Sequence, residues 1–98
     1  MLRHIVLWKL TEEAKAKGTK AIIEEVQPLF DGLIGKIDGL LFAKVSENLV
    51  ESHFDMMLYT EFTDLAAMKA YQPNPLHQAV SKAVTVHVAE RTSFDAKA

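Results

Sequence analysis

Four segments of the chain have the hydrophobic pattern of β-strands. They cover residues 2–10 (LRHIVLWKL), 40–48 (LLFAKVSEN), 54–62 (FDMMLYTEF) and 84–94 (VTVHVAERTSF). The first is rich in β-branched and aromatic residues, which indicates burial on both faces, and the third alternates between two sets of side chains. The tail that follows the fourth strand, residues 95–98, is expected to fray.

A helical stripe separates the first two predicted strands. Thr11 is placed as an N-cap, and from there to about Lys36 apolar residues recur every three or four positions, at Ile22, Val26, Leu29, Leu33 and Ile37. Gly18 and Pro28 interrupt the stripe, and we expect the proline to kink or divide the helix because it removes a backbone donor. We interpret the whole segment as one long amphipathic element.

Two short helices are predicted between the third and fourth strands. Thr63 or Asp64 caps the first, and Pro73 ends it, since a proline disfavours helix in the residue before it. Asn74 followed by Pro75 begins the second, whose apolar side consists of Leu76, Ala79, Val80 and Ala83. This order predicts a single α+β domain over residues 1–98, with a ferredoxin-like β-α-β-β-α-β fold and a four-stranded antiparallel sheet.

The predicted sheet is apolar on both faces, although helices cover only one of them. By the two-residue period of a strand, one face carries His4, Val6, Met56 and Leu58, and the other carries Ile5, Leu7, Met57 and Tyr59. An antiparallel sheet with one solvated face normally has polar residues there. We therefore expect a homodimer in which two copies of the second face pack together as a barrel.

Composition strengthens the expectation of a partner and excludes several classes of function. Of the 98 residues, 49% are apolar and 24% are charged, which is a high apolar content for a small monomer. The 11 basic and 13 acidic residues give a net charge of −2 and form no basic stripe, so we expect no nucleic-acid binding. Cysteine is absent, which excludes disulfides, thiolate metal sites and a cysteine nucleophile.

The apolar runs of the chain are short. The run of residues 5–8 (IVLW) between Arg3 and Lys9 is too short for the core of a signal peptide or for a membrane span. We therefore expect a cytoplasmic protein that does not associate with membranes.

Three short motifs occur in order along nearly the whole chain. Residues 4–9 (HIVLWK) match the pattern H-x-V-L-F/W-K, and residues 54–62 match Y-D-x-x-L-x-x-x-F with Phe54 at the first position. Residues 71–77 (YQPNPLH) match Y-x-x-H-P-x-H, with Asn74 where a histidine is usual. Together they resemble the stress-responsive A/B barrel family of dimeric α+β barrel proteins. The resemblance implies a homodimeric barrel with a pocket in each subunit between sheet and helices.

The resemblance also implies site residues. A plant polyketide cyclase of this family uses a histidine–tyrosine pair for an aldol-type ring closure, and the matching positions here are His77 and Tyr71, with His4 as a further pocket residue. The residues expected to line the pocket are Val6, Trp8, Met56, Leu58 and Asn74. A second strand histidine of that cyclase corresponds to Met56, so the pocket is expected to be more apolar here.

These three polar residues suit acid–base chemistry on a carbonyl compound. His77 falls in the first turn of a predicted helix, where the positive end of the dipole disfavours an imidazolium and leaves a neutral base. Tyr71 can donate its hydroxyl to a carbonyl or enolate oxygen, and His4 can orient a ligand or relay a proton. Each has a structural alternative: a histidine bonded to backbone, a packed tyrosine with a solvated hydroxyl, and a core histidine with a hydrogen-bond partner.

Three functions stay open at this point. The main hypothesis is binding of a small apolar or carbonyl-containing molecule, with cyclase-like chemistry that needs no cofactor. The second is a noncatalytic, stress-related dimer, and the third is the monooxygenase activity of other dimeric α+β barrels, which share topology rather than these motifs. We expect no metal site, because no two of the four histidines have the i, i+3 or i, i+4 spacing of helical metal ligands.

Overall fold

The computed structural model describes residues 1–98 as four strands and four helices. In chain order they are β1 (Leu2–Leu10), α1 (Glu12–Lys17), α2 (Thr19–Asp31), β2 (Leu40–Glu47), β3 (Met56–Phe62), α3 (Leu65–Tyr71), α4 (Pro75–Thr85) and β4 (Val88–Lys97). The strands form one antiparallel sheet in the order β2-β3-β1-β4, so the predicted ferredoxin-like fold is confirmed. None of the helices has the length and hydrophobicity needed to cross a bilayer.

The first strand lies in the middle of the sheet because it is apolar on both faces. Its even-numbered residues are buried towards the helices, whereas Ile5 and Leu7 are half-buried on the opposite face. Pairing with β3 places Ile5 opposite Tyr59 and Leu7 opposite Met57. The bounds of this strand and the assignment of its two faces agree with the sequence pattern.

The hydrophobic core lies between the sheet and the helices. It is a cluster of 20 buried apolar residues, to which α2 contributes Ile22, Val26 and Phe30. The ring of Phe30 lies 6.3 Å from that of Trp8, measured between centroids. Full burial of a large apolar side chain contributes about 1.5–3 kcal/mol, so this layer is the main source of stability.

The predicted long helix is divided, and the division is at Gly18 rather than Pro28. Gly18 has a φ of 98°, in the region that favours glycine. Its amide donates to the carbonyls of Ala14 and Lys15, which closes α1, and its carbonyl accepts from the amide of Ile22, which opens α2. The interruption predicted at Gly18 is therefore confirmed, whereas the predictions of one undivided element and of a division at Pro28 are wrong.

The second helix continues past Pro28 and ends at Asp31, short of the predicted end near Lys36. Pro28 and Glu24, whose carbonyl would otherwise accept the missing hydrogen bond, are both exposed, so water can satisfy that carbonyl. Leu33 and Ile37 remain buried, but tight turns carry them into the core instead of a helix. The apolar stripe therefore outlasts the helix.

The last helix begins where the sequence predicts and ends later. The side-chain oxygen of Asn74 accepts from the amide of Leu76 at 2.9 Å, and Pro75 opens the helix. Val84, predicted to begin the last strand, is instead a buried residue of α4. The tail predicted to fray is part of β4, where Asp95 pairs with His4. The start of the last strand is mispredicted because valine suits a helix or a strand. The tail is ordered because Asp95 to Lys97 pair with β1.

The sheet face opposite the helices, which we call the open face, is uncovered and has an apolar centre, with charged residues such as Arg3 and Glu61 on the same face. Its predicted members are all half-buried: Ile5, Leu7, Met57 and Tyr59. Phe42 of β2 and Phe94 of β4 enlarge it, with 45% and 68% of their surface exposed. The ring of Phe42 lies 6.0 Å from that of Tyr59, and Phe94 lies opposite Ile5 in the β1–β4 register.

Candidate functional site

A cavity of about 130 Å³ between the sheet and the helices brings the three candidate side chains together. Its polar lining is His4, Tyr71, His77, Ser81, Thr85 and Arg91, and its apolar lining is Val6, Trp8, Phe30, Leu58, Val84 and Val88. A buried water needs about 10–15 Å³ of such space, so there is room for on the order of ten ligand atoms. An apolar wall with a few convergent polar groups is typical of a small-molecule site.

Tyr71, the last residue of α3, is the most deeply buried of the three. It is 1% exposed, and its hydroxyl is the one buried side-chain polar atom that has no hydrogen-bond partner. Its ring packs against that of Phe62 with 4.9 Å between centroids, and against that of His77 with 3.9 Å. Burial raises the pKa of the hydroxyl above its ordinary value, so the group stays protonated. It is a donor for which the protein supplies no acceptor.

His77, half-buried in the first turn of α4, is held neutral. Its Nδ1 lies 3.1 Å from the carbonyl oxygen of Gln72; because a carbonyl only accepts, Nδ1 carries the proton and Nε2 is the unprotonated nitrogen. Burial lowers the pKa of His77, and the charges of His4 and Arg91 act in the same direction, against the opposing hydrogen bond to Gln72. The neutral base agrees with the expectation, but burial rather than the helix dipole is the first cause.

His4 is buried in the middle of the sheet, and its orientation is set by a carboxylate. Its Nδ1 lies 2.5 Å from Oδ1 of Asp95, so this nitrogen donates and Nε2 is the nitrogen left for other contacts. The sequence pattern predicts that Asp95 belongs to a frayed tail, whereas the β1–β4 register places it opposite His4. This contact agrees with both roles considered for His4, which are a site residue held in position and a core histidine with a hydrogen-bond partner.

Most of the polar wall on α4 and β4 was missed by the sequence reasoning. His77, Ser81 and Thr85 recur at every fourth position, so they form a polar stripe on the cavity side of α4. That spacing is the signal that identifies Ser81 and Thr85. Arg91 lies opposite Trp8 in the register of β1 and β4, and thus on the helix side of the sheet. Strand periodicity identifies it only once the register is known.

Two residues that were expected to line the pocket do not reach this cavity. Met56 is buried and borders a separate depression of about 320 Å³, together with Leu7, Met57 and parts of the β2–β3 connection. Asn74 caps α4 with its side-chain amide. The separate depression is larger, but it contains no histidine or tyrosine. The candidate site is therefore the smaller cavity.

Outside the cavity, the two other histidines each pair with one carboxylate. His87 contacts Glu25 at 2.6 Å and His53 contacts Glu90 at 2.9 Å. No three His, Asp or Glu side chains lie together in a way that could hold a metal ion. What the cavity offers chemically is a neutral imidazole, a phenol donor, a carboxylate-fixed imidazole and a guanidinium.

Comparison with solved structures shows that the chain shares the ferredoxin-like fold. It is similar to a dimeric protein of unknown function from Bacteroides fragilis (24% identity, TM-score 0.84, covering 99% of this chain and 95% of that chain). It is also similar to a dimeric ferredoxin-like protein of unknown function from Thermobifida fusca (20% identity, TM-score 0.78, covering 99% of this chain and 90% of that chain). A third similar structure is a Dabb family protein with a ferredoxin-like fold from Mesorhizobium loti (19% identity, TM-score 0.76, covering 99% of this chain and 95% of that chain).

These identities are low enough that the structures show the fold alone. A comparison with curated protein sequences gave no match. The model of the family described as Stress Responsive A/B Barrel Domain matches residues 2–98. The resemblance carried by the three sequence motifs is thereby confirmed, and the chain belongs to the stress-responsive A/B barrel domain family.

Proposed function

We propose that the cavity binds a small carbonyl compound and promotes its enolisation without a cofactor. The observation that carries this proposal is the hydroxyl of Tyr71, which is buried in the cavity wall without a partner. Buried polar groups are nearly always hydrogen-bonded, and an unpaired one costs about 1–3 kcal/mol. A ligand oxygen that accepts from Tyr71 accounts for the unpaired donor, and a carbonyl oxygen is such an acceptor.

The proposed step uses the neutral state of both stacked rings. Nε2 of His77 accepts a proton from the carbon next to the carbonyl, and the electron pair of that C–H bond becomes the C=C bond of the enolate. The carbonyl oxygen, which gains the negative charge, accepts the hydrogen bond from Tyr71. In a compound with a second carbonyl, the enolate carbon can then attack it and close a ring, and the protonated His77 returns its proton to the new alkoxide oxygen. No oxidant or reductant is needed.

Hydrogen exchange in D₂O tests this proposal with acetophenone, a small ketone that has an enolisable methyl group. We expect the wild type to accelerate exchange of the methyl protons, followed by proton NMR. His77→Gln should slow the catalysed exchange about 10²-fold or more, and Tyr71→Phe about 10²-fold. His53→Gln is the matched control, because His53 is a surface histidine outside the cavity. Equal exchange rates in wild type and His77→Gln would contradict the proposed base.

The same samples separate chemistry from binding alone. If acetophenone shifts the imidazole signals of His77 while exchange stays at the background rate, the cavity is a binding site without this reaction. The noncatalytic function would then be the better account of the protein.

We also propose that the chain is a homodimer joined through the open face. The similar structures from Bacteroides fragilis and Thermobifida fusca are dimeric, which supports the proposal. Exposed apolar patches commonly mark interfaces, and this one holds Phe94 and Phe42, which are exposed by 68% and 45%. Sedimentation equilibrium at micromolar concentration should give twice the chain mass of 11.0 kDa. A single species at the chain mass would overturn the proposal.

A further inference from the structure

Arg91 brings to the cavity a positive charge that the proposed enolisation does not use. It lies on β4 opposite Trp8, on the side of the sheet that faces the helices. Arg91 and Thr85 are exposed while Tyr71 is fully buried, so the guanidinium lies at the mouth and the hydroxyl at the inner end. Apolar side chains of the lining, Val6 and Leu58 among them, complete the wall.

The guanidinium of Arg91 has no carboxylate partner in the protein. It takes part in none of the ion pairs of the structure. Asp95, which shares its side of β4, is engaged by His4 at 2.5 Å. Glu90, the neighbouring residue, points to the opposite face by the two-residue period and contacts His53 at 2.9 Å. A planar guanidinium without a protein anion is well suited to a ligand carboxylate, which it can bind through two parallel hydrogen bonds.

The charge of Arg91 also acts on both rings of the candidate pair. It opposes the rise in the pKa of Tyr71 and contributes to the lowered pKa of His77. The guanidinium is thus within electrostatic reach of the two groups that would handle the carbonyl.

We propose that Arg91 binds a carboxylate of the ligand, and that the substrate class is an oxo acid. In this arrangement the carboxylate meets Arg91 at the mouth and the ketone oxygen meets Tyr71 at the inner end. The ketone half of the inference rests on the proposed enolisation, whereas recognition of the carboxylate is measured by binding alone. Arg91 is therefore a specificity residue rather than a participant in proton transfer.

The test compares the 3- and 4-isomers of acetylbenzoate with the corresponding acetylbenzamides, which match them in shape and lack the charge. Titration calorimetry of the wild type should show the better acid isomer binding about 10- to 100-fold more tightly than its amide. Arg91→Gln should remove that preference and leave amide binding unchanged, and Arg91→Lys should retain part of it. Lys82→Gln is the control, because Lys82 is an exposed cation of α4 outside the cavity.

The outcomes for Arg91 and for the enolisation are distinguishable. An acid that binds no more tightly than its amide, including no measurable binding of either, overturns the role of Arg91. Equal weakening of acid and amide in Arg91→Gln also overturns it. Exchange of acetophenone protons would still support the enolisation in each of those cases. Conversely, an acid preference that depends on Arg91 without any proton exchange supports the carboxylate site and contradicts the enolisation.

Discussion

At the scale of single residues, burial acts in opposite directions on the pKa values of two stacked rings. It raises the pKa of Tyr71 and lowers that of His77, whose ring centroid is 3.9 Å away. Desolvation disfavours the charged form of each group, so both are neutral near pH 7. Tyr71 can then donate a hydrogen bond and His77 can accept a proton. Environments that separate two pKa values in this way are how acid and base roles are assigned in enzymes.

Tyr71→Phe should leave stability unchanged or raise it slightly. The hydroxyl has no hydrogen-bond partner, so the variant loses no bond and is relieved of a desolvation cost, and we expect the free energy of unfolding in urea to change by between 0 and about +1 kcal/mol. Tyr71→Ala is the control for the packing of the ring, with an expected loss of about 3–5 kcal/mol. If Tyr71→Phe loses more than about 1 kcal/mol, the hydroxyl is hydrogen-bonded in solution. The basis of the proposed function would then be removed.

The lowered pKa of His77 makes stability depend on pH in a defined direction. In the unfolded chain a histidine takes up a proton near its ordinary pKa of about 6.5, whereas in the folded protein uptake is delayed to lower pH. Between the ordinary and the lowered pKa, the unfolded state binds more protons than the folded state. The contribution of His77 to the free energy of unfolding is therefore complete above the ordinary pKa and is lost as the pH falls through the lowered pKa of the folded protein. His77→Gln should therefore show a smaller decrease in unfolding free energy between pH 7.5 and 5.5 than the wild type. Equal decreases would contradict burial of the ring.

His77, Tyr71 and His4 could be predicted because short motifs place them. Asp95 and Arg91 could not, because their positions depend on how β4 pairs with β1. That register shifts at an irregularity next to Lys9, which the hydrophobic pattern does not reveal. The family resemblance carried by these motifs thus implies His77, Tyr71 and His4, whereas long-range strand pairing places Asp95 and Arg91.

At the scale of elements, backbone conformation rather than side-chain pattern divides the first helical segment. Gly18 has a φ of 98°, whereas the helix tolerates Pro28 on its exposed side. Leu33, Ile37 and Val84 are buried and would suit a helix, a turn or a strand. The start of α4 was predictable because Asn74 and Pro75 act locally. The ends of α2 and α4 were not, since tertiary packing can place the same apolar residues in a helix, a turn or a strand.

Gly18→Ala should destabilise the protein through its backbone alone. No atom lies within 4 Å of the position that a Cβ would occupy, so the expected loss of about 1–2 kcal/mol comes from the positive φ. Gly32→Ala is the matched control: Gly32 has a φ of −66°, and its added Cβ would make ordinary contacts at 3.5 Å. That variant should be neutral or more stable by about 0.4–1 kcal/mol. Indistinguishable urea midpoints for the two variants would show that φ at Gly18 does not matter.

At the scale of the whole molecule, one sheet carries two separate surfaces. Along β4, Arg91 and Asp95 lie on the cavity side while Phe94 lies on the open face. The strand period keeps these sets apart, so a change on one face reaches the other only through the backbone. The proposed ligand site lies wholly within one chain. The proposed dimer interface consists of residues of the open face, which do not line the cavity. Assembly and ligand binding are therefore separable by mutation.

Phe94→Lys is expected to dissociate the proposed dimer while leaving the cavity intact. Phe94 is 68% exposed on the open face, so a lysine is tolerated in the monomer, whereas burying its unpaired charge against a second copy is costly. Val86→Lys is the control, since Val86 is 71% exposed at the end of α4, away from that face. Sedimentation equilibrium should give the chain mass of 11.0 kDa for Phe94→Lys and twice that mass for the control. The preference of Phe94→Lys for acetylbenzoate over acetylbenzamide should match that of the wild type. A Phe94→Lys protein that stays dimeric would show that the open face is not the interface. A protein that dissociates and also loses the preference for acetylbenzoate would show that the open face and the cavity are coupled.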